Sequence, residues 1–374
     1  MPCSLTAVSL PATVPSGTED AVFADLCARL FASFNRADHH TKGAQYLRGL
    51  LAARGRKTIR NVARSLDDPG AAQRLHHFIC DAPWNWRPVR EALTGYLTDL
   101  AAPRAWVVQP MLIPKVGKES VGVHRRFVPE LGQMVSGQRA SGLWYVGHHG
   151  VNAPVDWHLH LQGASETPAV TFPVPRGCPA GLPPVVWDGR AHDAVAVLDT
   201  LAPLGLPAMV SLTGAAGVRL PDAAGSAGAG ETLAVERLLA PSYASRLTVR
   251  QIAPGTRAAT ARVRLIRRQR ASSLPWYDKD LLLYAEWREG HYRPDAYWLV
   301  TNPQTPADEI FRLRMHAAQV ARDSAGTGAR CGLRDFKGRS YEGWHRHMTL
   351  ASAAYALVKL CGAEAEWKPP AMSG

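Results

Sequence analysis

The sequence predicts an α/β protein in which a helical amino-terminal region precedes a mixed sheet. Three observations predict it. Apolar residues recur at helical spacing up to about residue 100. The period then changes to the short β-branched and aromatic runs of strands. Finally, "PVVWDG", "AHDAVAVLDTLAPLG" and "PAMVSLTG" read as strand, helix and strand, which is a parallel crossover.

Residues 1–18, rich in Ser, Thr, Pro and Ala without period, are expected to form a loose leader. From residue 19, Val22, Phe23, Leu26, Leu30, Phe31 and Phe34 make one helical stripe, and "AQYLRGLLAARGRKTIRNVARSL" continues the period. Asp67 to Gly70 make a turn. Two further helices follow, the second entered through Asp81, Pro83 and Pro88, which closes a helical domain over 19–100.

Beyond it, "RAWVVQPML", "SGLWYVGHHGV" and "VDWHLHLQG" read as strands separated by polar turns. The stretch 218–232 reads as a small-residue loop. Four more strands are expected between 246 and 301, and helices at 307–325 and 341–362. This second domain spans 101–365, with a β insertion at about 215–305 and a tail over 366–374.

Lys and Arg outnumber Asp and Glu by 43 to 31, a net charge of +12 that favours an anionic partner. No apolar run nears the roughly 20 residues needed to span a bilayer, and the first twenty residues do not read as a secretion signal. No membrane partner is therefore expected, and the cytoplasm is the expected location. Six scattered cysteines without a CxxC pair read mainly as buried thiols.

The stretch "WVVQPMLIPKVGKESVG" poses a question, because a buried strand ends on Gln109 and Pro110 where its surroundings suit an acid. Five segments bear on it: the helical "QYLRGLLAARGRKTIRNVARSL" and "QRLHHFICDAPWNWRPVR", then "IPKVGKESVGVHRRFVPELGQMVSGQ", "HHGVNAPVDWHLHL" and "GLRDFKGRSYEGWHRHMTLA". In order and spacing, over roughly residues 44 to 355, they resemble the IS701-like branch of the DDE transposases. The resemblance implies an RNase H-like mixed sheet with a β-strand insertion, preceded by a helical amino-terminal domain. It also implies three carboxylates holding two Mg²⁺ ions for phosphoryl transfer.

On that pattern the first acid falls at Gln109 and Pro110, the second on Asp188, and the third on Ala321 in the helix before "GLRDF". The basic residue normally seven positions later falls on Gly328. Asp323, two residues beyond Ala321, lies about 200° around the helix and points elsewhere. One retained carboxylate does not hold two hard cations, so no nuclease or strand-transfer activity is expected, and no cofactor.

Other residues suggest other chemistry. Lys115, Lys118, His124, Arg125 and Arg126 form a basic run that reads either as phosphate contacts or as a solvated loop. Arg262 and Arg264 share a strand face, followed by Arg267 and Arg268, a basic stripe suited to nucleic acid. His158 and His160 share a face with Asp156. That spacing suits zinc or iron if His148 sits across a hairpin turning near Asn152 to Pro154; a polar strand face is the simpler reading.

Two functions compete. One is a catalytically dead, transposase-derived binder of double-stranded DNA. The other is an enzyme repurposed from the same fold, taking a small-molecule or carrier-linked biosynthetic intermediate in the old cleft, with Asp188 and Lys115, His148, His158 or His160 in acid–base roles. An active site rebuilt on Asp156 or Asp193 is a third, weaker reading, and self-association as a homodimer is left open.

Overall fold

The computed structural model describes residues 19–66, 68–128, 131–162, 182–188, 194–221, 232–265 and 279–362. Five helices come first: α1 (Glu19–Phe31), α2 (Ala37–Ala52), α3 (Ile59–Arg64), α4 (Ala71–Cys80) and α5 (Trp86–Leu100). The apolar stripe of α1 is buried as its spacing predicts, and Phe34 just beyond it stacks on Phe31 and meets Phe78 and Trp84 edge-on. Side-chain caps start two of the helices. Thr58 accepts the Asn61 N–H at α3, and Asn85 accepts the Arg87 N–H at α5. Pro88 sits in the first turn of α5, where no helical N–H is required.

Next come β1 (Ala105–Pro114), β2 (Val123–Val128), β3 (Gln133–Val146), β4 (Asn152–His160), β5 (Val185–Trp187), α6 (Ala194–Leu201) and β6 (Ala208–Leu212). Strands β4, β3, β1, β5 and β6 lie side by side in that order; β5 is parallel to β1 and to β6, and the β3 pairings are antiparallel. A meander followed by a parallel crossover through α6 is the RNase H-like arrangement the sequence led us to expect.

The expected insertion is present, but it extends the sheet. After β6 come β7 (Gly217–Arg219), β8 (Thr232–Ala234), β9 (Thr248–Ala253), β10 (Thr256–Leu265), β11 (Leu281–Arg288) and β12 (Ala296–Val300). Strand β12 pairs antiparallel with β6, and β11, β10, β7 and β8 follow outward, with β9 on β10. The stretch read as a small-residue loop thus begins and ends in strands, a pairing too short for periodicity to reveal.

Two other expectations are corrected. Residues 123–128, read as part of a loop, form β2, which pairs with the first half of a β3 much longer than expected. The β3–β4 turn lies at 147–151, earlier than expected, where His149 and Gly150 both adopt positive φ.

The chain ends with α7 (Ala307–Ala325), α8 (Thr327–Arg330) and α9 (Tyr341–Leu360). Every residue of α9 from Gly343 to Val358 is buried, as expected for a helix covered on all sides. It lies between β4 and the helices α2, α4 and α5. Arg90 of α5 ties the three layers together: it donates to Asp156 and the Trp157 carbonyl on β4 and to Thr349 and His345 on α9. Four cysteines lie within the described residues and all are free. Burial pushes Cys27 up to about 12 and Cys331 to about 11, as inert packing thiols should behave.

Candidate functional site

Ligands of open α/β sheets bind outside the carboxyl ends of parallel strands, and that is where Gln109 and Asp188 lie. Val108 pairs with Trp187, and the Asp188 N–H donates to the Val108 carbonyl at 3.3 Å, which brings Asp188 level with Gln109 on the same face. Asp188 is half-buried. Gln109 donates from Nε2 to the Pro110 carbonyl at 3.3 Å, while its Oε1 is buried and accepts no hydrogen bond.

Backbone directions explain Pro110. The Trp106 N–H reaches the Pro184 carbonyl and the Val108 carbonyl accepts from Asp188, so even-numbered residues of β1 turn their peptide groups toward β5. Strand β5 has ended before Pro110, so its missing N–H costs no ladder bond. On the other flank Gln109 pairs with Gly142, over which the Trp157 indole lies so closely that a Cβ at 142 would come within 2.8 Å of the ring.

The row extends across the sheet. Trp187 pairs with Val210, Ser211 with Trp298, and Trp298 with Tyr284, so Asp188, Ser211, Trp298 and Tyr284 stand abreast on one face. Ser211 is buried, and the Trp298 Nε1 is buried without an acceptor. Two residues beyond Tyr284, Glu286 accepts from the Tyr284 hydroxyl at 2.9 Å and pairs with Arg314 of α7 at 2.9 Å. Burial nevertheless raises the Glu286 carboxyl above its ordinary range. Ser211 and Glu286 were missed in the sequence, although each is a polar residue inside an apolar strand run.

The position where the resemblance puts the third acid offers nothing to this row. Ala321 is a half-buried methyl on α7. Asp323 faces away as expected: it accepts from Asn152 at 2.7 Å and Gln319 at 2.8 Å, and lies 3.3 Å from the Lys359 ammonium. Asn152 pairs with Val146 and Val146 with Ala105, so this carboxylate is anchored at the start of β1, far from Gln109. Burial pushes the Asp323 carboxyl up, yet Asn152, Gln319 and Lys359 together hold it below its ordinary value.

The suggested acid–base partners of Asp188 lie elsewhere. Lys115 donates to the carbonyls of Arg334 and Phe336. It follows Val108 by seven residues of extended chain, about 20 Å. Burial lowers its pKa to about 8. His158 pairs with Ser141 and Ser141 with Pro110, which puts His158, and with it His160, on the face opposite Gln109. His160 shares a hydrogen bond with Ser141 at 2.9 Å. His148 sits in the β3–β4 turn at the other end of β4, so the hairpin expected to gather it with His158 does not exist. Asp156 is bonded to Arg90. Among the described residues, no three His, Cys, Asp or Glu side chains converge to hold a metal, and Asp193 lies outside those residues.

The basic candidates divide between the two ends of the sheet. Lys118 and Arg125 are exposed at one end and Arg126 is half-buried; Arg262 is exposed at the other. Arg264 is bonded to Asp280 at 2.7 Å, which neutralises one of the two arginines of the expected stripe within the described residues. Arg267 and Arg268 lie outside the described residues.

A family model described as DDE superfamily endonuclease matches residues 29–216, from α1 to the segment just after β6. No curated protein matches the sequence.

Proposed function

Since the chain belongs to the DDE superfamily endonuclease family, we propose that it is an IS701-like member whose acidic site has degenerated, a protein that binds DNA without cutting it. The observation that carries this reading is Gln109 beside Asp188 at the carboxyl ends of β1 and β5. The family's reaction requires two Mg²⁺ ions, which would activate the attacking water and steady the leaving oxygen. The side chains at the three positions do not fit them. Asp188 supplies one carboxylate, Gln109 at best a neutral carbonyl oxygen and Ala321 none, whereas hard cations take several oxygen ligands each. Two-metal cleavage therefore has no ligand set at these positions.

Support for DNA binding comes from the family, the +12 charge and the exposed Lys118, Arg125 and Arg262. Fluorescence anisotropy of a labelled duplex over a salt series tests it, with a steep loss of affinity as salt rises as the expected result. Binding that is absent at low salt ends the reading. Nicking of DNA in Mn²⁺ that disappears in Asp188→Ala would end the claim that the site is dead.

One observation favours the second reading, a repurposed enzyme acting on a small-molecule or carrier-linked intermediate. Ser211, buried abreast of Asp188, gives the old cleft a hydroxyl beside its remaining acid. In that reading Ser211 replaces Lys115 and the histidines as the partner of Asp188. Saturable ligand binding lost in both Asp188→Ala and Ser211→Ala, with no affinity for DNA, would put it first.

A further inference from the structure

The row that holds Asp188 continues outward into the insertion, and four strands away on the same face a pocket of about 690 Å³ opens beside the start of α7. Strands β9 and β10 form its floor. Thr248 pairs with Thr260 and Arg250 with Ala258, while Arg262 lies two residues along β10 from Thr260 and Arg246 ends the short 3-10 turn just before β9. Pro306 and Ala307, at the amino terminus of α7, are also in the lining.

Three guanidinium groups thus border one cavity. Asp280, the one carboxylate in its lining, is already bonded to Arg264 at 2.7 Å. Arg246, Arg250 and Arg262 make no ion pair among the described residues. Like charges lining one cavity repel, so the cluster carries an electrostatic cost that an anion would offset.

The start of α7 adds to this field. Its amino-terminal cap is Pro306, which caps nothing through its side chain. The N–H groups of Ala307 and Asp308 have no intrahelical acceptor and the positive end of the α7 dipole lies there, offset in part by Asp308 and Glu309 in the same turn, Asp308 being paired with Arg312.

We propose that this pocket binds a small molecule carrying two or more adjacent phosphate groups, a diphosphate or triphosphate. A single carboxylate or orthophosphate would meet only part of this charge, while adjacent phosphates offer each guanidinium a bidentate partner. Thr248 and Thr260 also line the pocket; the Thr260 hydroxyl donates to the Thr248 carbonyl at 3.5 Å, which leaves its oxygen to accept, and the Thr248 hydroxyl can do either. The volume lies within the usual range of small-molecule sites. Arg262 is also among the residues offered to DNA, so a phosphate ligand and a duplex would compete for it.

The test is isothermal titration of the full chain with tripolyphosphate and with ADP at fixed ionic strength. Saturable one-to-one binding is expected, weakened about tenfold or more by Arg262→Ala and by Arg250→Ala. Both side chains are exposed, so both variants should melt like the parent; Arg262→Lys should retain part of the affinity. Absence of saturable binding overturns the proposal, as does an unchanged Kd in both alanine variants. So does orthophosphate binding as tightly as tripolyphosphate. A short DNA duplex that displaces tripolyphosphate, and loses affinity in the same variants, would reassign the arginines to nucleic acid and likewise overturn it.

Discussion

Replacing Gln109 with aspartate puts a second carboxylate beside Asp188 and tests whether these two positions still form a cation site in all but chemistry. The two residues are level on adjacent parallel strands with side chains on one face, and such strands are about 4.8 Å apart. Two unit charges at about 5 Å repel by about 3 kcal/mol at an effective dielectric of 20, and by less than about 1 kcal/mol in water. Asp188 is half-buried, so about 1–3 kcal/mol brackets the loss for Gln109→Asp in EDTA at neutral pH. A divalent cation shared by both carboxylates reverses the sign. At a hundred times its Kd it contributes about 2.7 kcal/mol. Thermal unfolding with EDTA and with Mn²⁺ reads both quantities, at no more than about 2–4 °C per kcal/mol for a chain this long. The variant should melt below the parent in EDTA and recover in Mn²⁺, while the parent and Gln109→Asn ignore the metal. A variant indifferent to both conditions would show that the side chains do not face one another. A parent that gains stability from Mn²⁺, and loses that gain in Asp188→Ala, would show that a working site survives.

Burial lowers His345 to about 2 and His347 to about 4, so both are neutral when folded and take up protons on unfolding below pH 6.5. Stability should therefore fall by about 2.7 kcal/mol per pH unit between pH 5.5 and 4.5 from these two groups. Urea midpoints over that range check it, and His347→Gln should reduce the slope by about half. Arg90→Met leaves the half-buried Asp156 without this cation and frees acceptors on β4 and α9, which should cost about 2–4 kcal/mol in denaturant unfolding. Gly142→Ala drives a methyl into the Trp157 ring; a loss of about 1–3 kcal/mol is expected from the same measurement.

Much of this fold is legible because its signals are local. The stripe of α1, the crossover through α6 and the apolar run of β1 are each set by spacing within one element, and each appears where the sequence puts it. What was missed depends on register between distant segments. His158 and His160 share a face with Asp156 in the sequence, but only the pairing of β4 with β3, and of β3 with β1, puts that face opposite Gln109. The basic run at 123–126 belongs to a strand because residues 133–138 pair with it. Ser211 looked like a lone polar residue in an apolar strand until β5 and β6 brought it level with Asp188.

On the proposed reading, the same register accounts for a scaffold that stands without the family's acids. A carboxylate pair at the ends of β1 and β5 repels unless a cation is bound, so an intact site makes this part of the sheet depend on metal. Glutamine at 109 removes the repulsion while keeping a polar group in the row. Its Nε2 bonds the Pro110 carbonyl, and Pro110 itself adds no unsatisfied donor because β5 has already ended. The cost left behind is one buried acceptor, the Oε1 of Gln109, a residue on the sheet face that carries Asp188 and Ser211. Packing is therefore satisfied at this end of the sheet and hydrogen bonding is not. A donor at that oxygen, whether from a solvent molecule or a ligand, should be worth about 1–3 kcal/mol. Gln109→Met separates the cases: if nothing donates to Oε1, the apolar isostere should be as stable as the parent or more so in urea unfolding. A loss of more than about 1 kcal/mol would mean that a partner outside the chain already satisfies it.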